Sequence, residues 1–167
     1  MKYLTLLSIL LLFVSSTPTE IDQTRLSEEE IEIVLERHNY WRADVGVTSE
    51  LQWSEEMADL AADWARKLKR KNCGFEHRPD NRYGENLFKG TIGFYGATEV
   101  VDAWASEKKD YNYNSNKCKP GKMCGHYTQI VWETTQKVGC AKIQCDGFDL
   151  WVCNYDPPGN WVGEKPY

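Results

Sequence analysis

Apolar positions recur at helical spacing over three stretches of the chain and at strand spacing near its C-terminal end. Ser27-Glu28-Glu29-Glu30 is a capping box, a serine followed three positions later by a glutamate. Beyond it Ile31, Val34, Leu35, His38 and Trp41 fall on one helical stripe. Ser54 is placed to cap a second helix, with Glu55 and Glu56 against its positive end and Lys67, Lys69, Arg70 and Lys71 around its last turn. Met57, Leu60, Ala61, Trp64, Ala65 and Leu68 make its buried face. Val100, Val101, Trp104 and Lys108 predict a third helix over 98–110. Segments rich in Gly, Asn and Pro, such as 78–84 and 111–122, read as loops.

Towards the C-terminus the period changes. Residues 138–145 and 148–156 are β-branched and aromatic, and Asp146-Gly147 between them is a strong two-residue hairpin signal. That turn sets Cys145 opposite Phe148, and counting back along the ladder sets Cys140 opposite Cys153 at a non-hydrogen-bonded position. Such pairs hold their Cα atoms about 4.5 Å apart, within reach of a disulfide. Cys118 and Cys124 flank Pro120-Gly121, a turn that brings them together, which leaves Cys73 for Cys145. Cys145 is an odd number of residues from Cys140, so it faces the other side of the sheet. The expected class is α+β: helices on both sides of a small antiparallel sheet, a three-layer α-β-α sandwich with three disulfides.

Lys2 precedes an apolar run from Leu4 to Val14 that Ser15, Ser16 and Thr17 follow. This is the layout of a secretory signal peptide, expected at 1–16, and it falls short of the roughly 20 residues that span a bilayer. An uncleaved anchor is the alternative. Residues 17–26 are expected to be flexible and 27–167 to form one domain. Export suits the six cysteines, all between Cys73 and Cys153; a structural zinc site would compete, but there is no C-x-x-C pair. In 167 residues the formal charge is −5, with a pI near 5.3. Loss of 1–16 removes one lysine and no acid. A nucleic-acid binder would need a basic face, so none is expected as a partner.

Two long stretches and two short ones carry a resemblance. They are Gly125-His126-Tyr127-Thr128-Gln129-Ile130-Val131-Trp132 and Trp151-Val152-Cys153-Asn154-Tyr155-Asp156-Pro157-Pro158-Gly159-Asn160-Trp161, with Gly84-Glu85-Asn86-Leu87 and His38-Asn39…Arg42 in support. Together they resemble the CAP superfamily: cysteine-rich secretory proteins, antigen 5 and group-one pathogenesis-related proteins, the plant branch above all. The resemblance spans Ser27 to Tyr167. It implies an α-β-α sandwich and the same disulfide pairing as the hairpin register. With the chain ending at Tyr167, the additional cysteine-rich domain of some members is not expected.

The resemblance also implies a cleft lined by His77, Glu85, Glu107 and His126. Two imidazoles can take zinc while carboxylates orient them, so His77 and His126 are the expected ligands of a reversible Zn²⁺. The family's small hydroxyl residue after the first histidine is Arg78 here, a cation expected to weaken metal binding. His38, on the helical stripe, reads as structural. No H-E-x-x-H or G-x-S-x-G stands in the sequence, and no nucleophile accompanies the histidines, so no enzyme is expected. The alternative is a metal-dependent hydrolase using the His/Glu cleft. Relatives bind sterols or fatty acids, which directs attention to Tyr111 and Tyr113 ahead of the Cys118–Cys124 loop. A monomeric, extracellular, defence-type protein is implied, with a lipid as ligand and a protein receptor or microbial surface as a further partner. Residues 157–167 resemble a peptide that plant relatives release as a signal, against the alternative that this tail only packs.

Overall fold

The computed structural model describes residues 23–79 and 81–167. The signal peptide lies outside the described residues, as does most of the segment expected to be flexible. Its end departs from that expectation. Thr24 and Leu26 are buried; the Thr24 carbonyl accepts from the Lys142 amide at 3.0 Å, and Leu26 joins the main core. Pairing with a sheet residue and burial of an aliphatic side chain fix these residues where polar composition alone read as loop.

Helix α1, Glu28–Ala43, starts on the expected capping box: Ser27 Oγ accepts from the Glu30 amide and Glu30 accepts from the Ser27 amide. Strand β1 is Gln52–Trp53. Helix α2, Glu55–Arg70, is capped by Ser54 and buries Met57, Ala58, Ala61, Ala62, Trp64, Ala65 and Leu68. Strand β2, Gly84–Thr91, precedes helix α3, Ala97–Ala105. Strands β3, Tyr111–Asn112, and β4, Lys117–Cys118, pair in a small ribbon. Helix α4 is Gly125–Ile130, and strands β5, Lys137–Cys145, and β6, Phe148–Asp156, form the hairpin.

The third helix is shorter than its periodicity suggests. It gives way to a 3₁₀ turn over Ser106–Asp110. The Ser106 hydroxyl donates back to the Ala103 carbonyl at 2.7 Å, a local competitor for helical hydrogen bonding.

The main sheet has the order β1-β5-β6-β2. It is antiparallel over β5–β6–β2, and the two residues of β1 add in parallel to β5. Asp146 and Gly147 both have positive φ, as a primed hairpin turn requires, and Cys140 stands opposite Cys153. Their Cα atoms are 4.1 Å apart, and the bridges are Cys73–Cys145, Cys118–Cys124 and Cys140–Cys153. Alternation along the strands divides the core. Ala141, Ile143, Leu150, Val152 and Leu87 meet α2, whereas Val138, Cys140, Trp151, Cys153 and Tyr155 meet α1, α3 and α4. Contact with α2 is close enough at Gly139 that a Cβ there would lie 2.2 Å from the Ala58 nitrogen. Among the described residues no helix is long and apolar enough to cross a membrane.

Candidate functional site

The chemistry predicted from the sequence gathers around the first half of β2, the outer strand of the sheet. Alternation turns Glu85 towards the α2 side and Asn86 towards the α4 side. Glu85 Oε1 accepts from His77 Nδ1 at 2.7 Å and from the Arg78 amide at 3.0 Å. The carboxylate is nearly enclosed, its side chain 4% exposed, while His77 is 63% exposed. Glu85 Oε2 is buried without a hydrogen-bond partner. The hydrogen bond to Glu85, followed by its charge, raises the His77 pKa above the ordinary 6.5 against the opposing effect of burial.

On the other side, the 3₁₀ turn presents Glu107 to the start of α4. Its Oε1 accepts from His126 Nδ1 at 2.7 Å, and its Oε2 accepts from the His126 and Tyr127 amides at 3.0 and 3.3 Å. Glu107 therefore caps α4 from another element, satisfying amides that a helix start leaves open. The His126 ring stacks on Trp104, whose indole N–H donates to the Leu87 carbonyl. Asn86 completes the anchorage: its amide donates to the His126 carbonyl and to the Tyr155 hydroxyl, both at 3.1 Å. Tyr155 in turn donates to His38 Nε2 at 2.9 Å, and His38 Nδ1 donates to the Val34 carbonyl at 2.7 Å. A carbonyl only accepts, so Nδ1 carries the proton and Nε2 is the acceptor. His38 is fully buried, in keeping with its reading as structural.

The four predicted residues thus form two His–Glu pairs, one on each side of the β2 edge. Each carboxylate is committed to Nδ1 of its own histidine, which leaves Nε2 of His77 and of His126 as the nitrogens for a ligand. Among the described residues no group of three or more His, Cys, Asp or Glu side chains could hold a metal ion. Two imidazoles fall short of the three or four protein ligands of a resident zinc. Arg78 departs from expectation. Its guanidinium turns to α2, donating to the Leu60 carbonyl at 2.7 Å and to Asp63 at 2.9 Å, and lies over the Trp64 ring. Its charge is answered there rather than directed at the histidines.

Tyr111 and Tyr113 do lie together, in a setting the sequence did not disclose. The Tyr111 hydroxyl donates to Asn116, and Tyr113 stacks on Tyr167 with centroids 4.8 Å apart. Lys165 places its ammonium over the Tyr113 ring, and Asn116 donates to the Glu164 carbonyl. The C-terminal tail therefore covers part of this loop. It is also fastened to α4: Asn160 exchanges hydrogen bonds with Thr128 and the Gly125 carbonyl, and the Gly159 amide donates to Gln129. Trp161 and Val162 are exposed. A cleft of about 320 Å³ opens between tail and loop, walled by Tyr111, the Cys118–Cys124 bridge, Trp132 and Trp161. A larger one, about 700 Å³, lies between α2 and Arg78–Tyr83 and was not anticipated. Asn86, Gln129 and Asn160 stand within the recognised motifs, yet only their bonding, with burial of the first two, reveals their work.

Comparison with known proteins bears on the family and the fold. The CAP family, described as the cysteine-rich secretory protein family, matches residues 35–155. Pathogenesis-related protein 1A of Nicotiana tabacum is 46% identical over 134 residues, covering 80% of this chain and 78% of the relative. Pathogenesis-related protein PR-1 of Medicago truncatula is 45% identical over 131 residues, 77% of this chain and 74% of the relative. Among solved structures, the Schistosoma mansoni venom allergen-like protein 4 superposes with a TM-score of 0.69 at 26% identity, over 85% of this chain and 95% of that one.

The buried histidine network makes stability depend on pH. Burial lowers the His38 pKa from 6.5 to about 4. Between those values the unfolded chain binds a proton that the folded chain excludes, so stability rises with pH and is lost as pH falls through the window. The span corresponds to about 3 kcal/mol. Denaturant unfolding of the His38→Gln variant between pH 4 and 6.5 should lack most of this slope. An unchanged slope would assign it to other groups. His77 acts in the opposite sense, above 6.5, because its pKa is raised.

Proposed function

Because the chain belongs to the CAP family of cysteine-rich secretory proteins, we propose that it acts outside the cell as a non-enzymatic, defence-type protein that takes up a sterol or another lipid. Similarity to plant pathogenesis-related proteins supports the defence role, and three disulfides with no free cysteine among the described residues support an oxidising compartment. The observation that carries lipid uptake is the 320 Å³ cleft beside the disulfide-closed loop, with aromatic walls and a polar mouth at Asn116 and Asn160. Its volume lies at the small end of ligand sites, suited to one end of a sterol or an acyl chain. Purified protein should bind a labelled sterol or fatty acid in the micromolar range, and Tyr111→Ala should weaken binding by about tenfold through lost ring contact. Absence of binding for both ligand classes would overturn this reading.

The hydrolase alternative would have to rely on a metal-activated water, because no side-chain nucleophile serves it. No hydroxyl or thiol bonds either His77 or His126 among the described residues, and the carboxylates hold the imidazoles through Nδ1. Zinc uptake is proposed in a reduced form, as weak binding by the two Nε2 atoms. Bound imidazole must be neutral, and the raised His77 pKa strengthens the competition from protons, so uptake weakens as pH falls through the histidine range. Calorimetry should detect this uptake and its loss in both His77→Ala and His126→Ala. Loss in His38→Ala with His77→Ala unaffected would place the ligand elsewhere.

Release of residues 157–167 as a signalling peptide is proposed on narrower ground. Cys153 is the last disulfide anchor, and Trp161 and Val162 form an exposed tip. The bonds from Asn160, Gly159 and Tyr167 hold the tail after any cut, so release requires both cleavage and their rupture. In extracellular fluid from its source, the protein should yield the 157–167 fragment, faster in Asn160→Ala. Cuts elsewhere with Asp156–Pro157 intact would rule release out.

A further inference from the structure

The hairpin end of the sheet, opposite the end that holds Glu85, carries large apolar side chains in solvent, with Phe75 on the segment that runs from it towards His77. Phe94 is 73% exposed, Phe75 55%, Ile92 43% and Phe148 39%. They come from three separate segments that the fold joins. Thr91 pairs with Phe148, and the Ile92 amide donates to the Gly147 carbonyl, which brings the loop after β2 onto the hairpin turn. Lys89 sets its ammonium 4.7 Å from the centre of the Phe148 ring and donates to the Cys73 carbonyl at 3.0 Å. The Cys73–Cys145 bridge then ties the segment bearing Phe75 to the same hairpin. Packing explains none of these four exposures, and an apolar cluster of this kind on a soluble chain marks a contact surface.

The surrounding charges identify the partner. Lys69 and Arg70 are exposed in the last turn of α2, immediately before Cys73, and Lys89 lies within the cluster. Of the acids nearby, Glu76 is paired with Lys71, Asp149 is buried and accepts from the Gly93 amide, and Glu99 accepts from the Gly96 amide at the start of α3, leaving Asp146 at the turn. The chain as a whole carries −5, so this end is locally cationic on an acidic molecule. An anionic surface would repel the rest of the protein and attract this end. The apolar groups stand beside the hairpin turn, at the first residue of β6, and in the loop after β2, exposed positions from which they can enter a bilayer interface. We propose that this end docks on anionic phospholipid membranes, with Phe94, Phe148 and Ile92 entering the interfacial layer and Lys69, Arg70 and Lys89 meeting phosphate groups.

The surface is separate from the lipid cleft. Glu85 and Thr91 are six residues apart on β2, about 20 Å along the strand, and the Tyr111 loop lies at the tail's end of β6. Docking therefore needs no sterol and does not depend on the uptake proposed above. The secreted chain, with its N-terminus verified by sequencing, should cosediment with sterol-free vesicles of phosphatidylcholine and phosphatidylserine, and far less with phosphatidylcholine alone. Added salt should weaken binding. Phe94→Ser with Phe148→Ser, and separately Lys69→Glu with Arg70→Glu, should each reduce binding by about tenfold while keeping the thermal unfolding midpoint. Tyr40→Ser, which removes an exposed aromatic from α1, should leave binding unchanged. Failure of the unaltered chain to bind, or equal binding by the Phe94/Phe148 variant, would overturn the proposal. So would an apolar face covered by a second copy, seen as a dimer that the same variant abolishes without vesicle binding.

Discussion

The arrangement around α4 depends on one buried cation. Arg42, at the end of α1, is 1% exposed, and burial lowers its pKa to about 10, so it remains charged at neutral pH. Its hydrogen-bond partners are oxygens of the chain rather than a carboxylate. It donates to the carbonyls of Ser49, Ile130, Trp132, Glu133 and Thr135 and to the Ser49 hydroxyl. Helix α4 has six residues, too few to be stable alone. Arg42 satisfies the carbonyls at and beyond its C-terminal end, while Glu107 satisfies amides at its start. A cation at one end and an anion at the other follow the sense of the helix dipole. A neutral side chain at position 42 would leave several buried carbonyls without donors, which is why this position admits little but a guanidinium.

Because α4 is held from both ends, the groups bonded to it inherit its position. His126 is fixed through its ring, its amide and its carbonyl, by Glu107 and Asn86. His77 belongs to a loop and has its ring fixed through Nδ1 alone, with most of its surface in water. The two pairs share a chemistry but not a rigidity. A ligand spanning both would find one imidazole in place and would have to draw the other to it, losing part of its binding energy to that ordering. This favours weak, exchangeable occupancy over a resident ion.

Local rules made the hairpin legible, since a two-residue Asp-Gly turn sets the register and the register sets Cys140 against Cys153. Helix α2 was legible for the same reason, with cap, stripe and terminal charges all in agreement. Strand β2 was not: Gly84, Asn86, Lys89 and Gly90 are poor strand formers, and only its ladder with β6 makes it a strand. Helix α4 was hidden likewise, being dependent on Arg42 and Glu107 from distant parts of the chain. The third helix was read too long because its period continues through Lys108, while the Ser106 hydroxyl interrupts its hydrogen bonding. The four His and Glu positions were suggested by family resemblance. Their division into two pairs was not, because it follows from strand alternation at Glu85 and Asn86, and so from β2 itself.

The tail and the aromatic loop are one contact seen from two sides. Tyr113 rests against Tyr167, Tyr167 meets the Tyr127 hydroxyl, and Asn116 holds the Glu164 carbonyl. The same tail forms a wall of the 320 Å³ cleft through Trp161 and Pro166. Its removal would take away part of that wall and expose Tyr113 more fully, so the proposed peptide release and the proposed lipid uptake would not be energetically independent. A ligand that packs against the tail holds it more firmly, and by the reciprocity of linked equilibria a freed tail changes the affinity for that ligand. The contact from Tyr113 to Tyr167 would carry this coupling, since it joins the aromatic loop to the chain beyond Cys153.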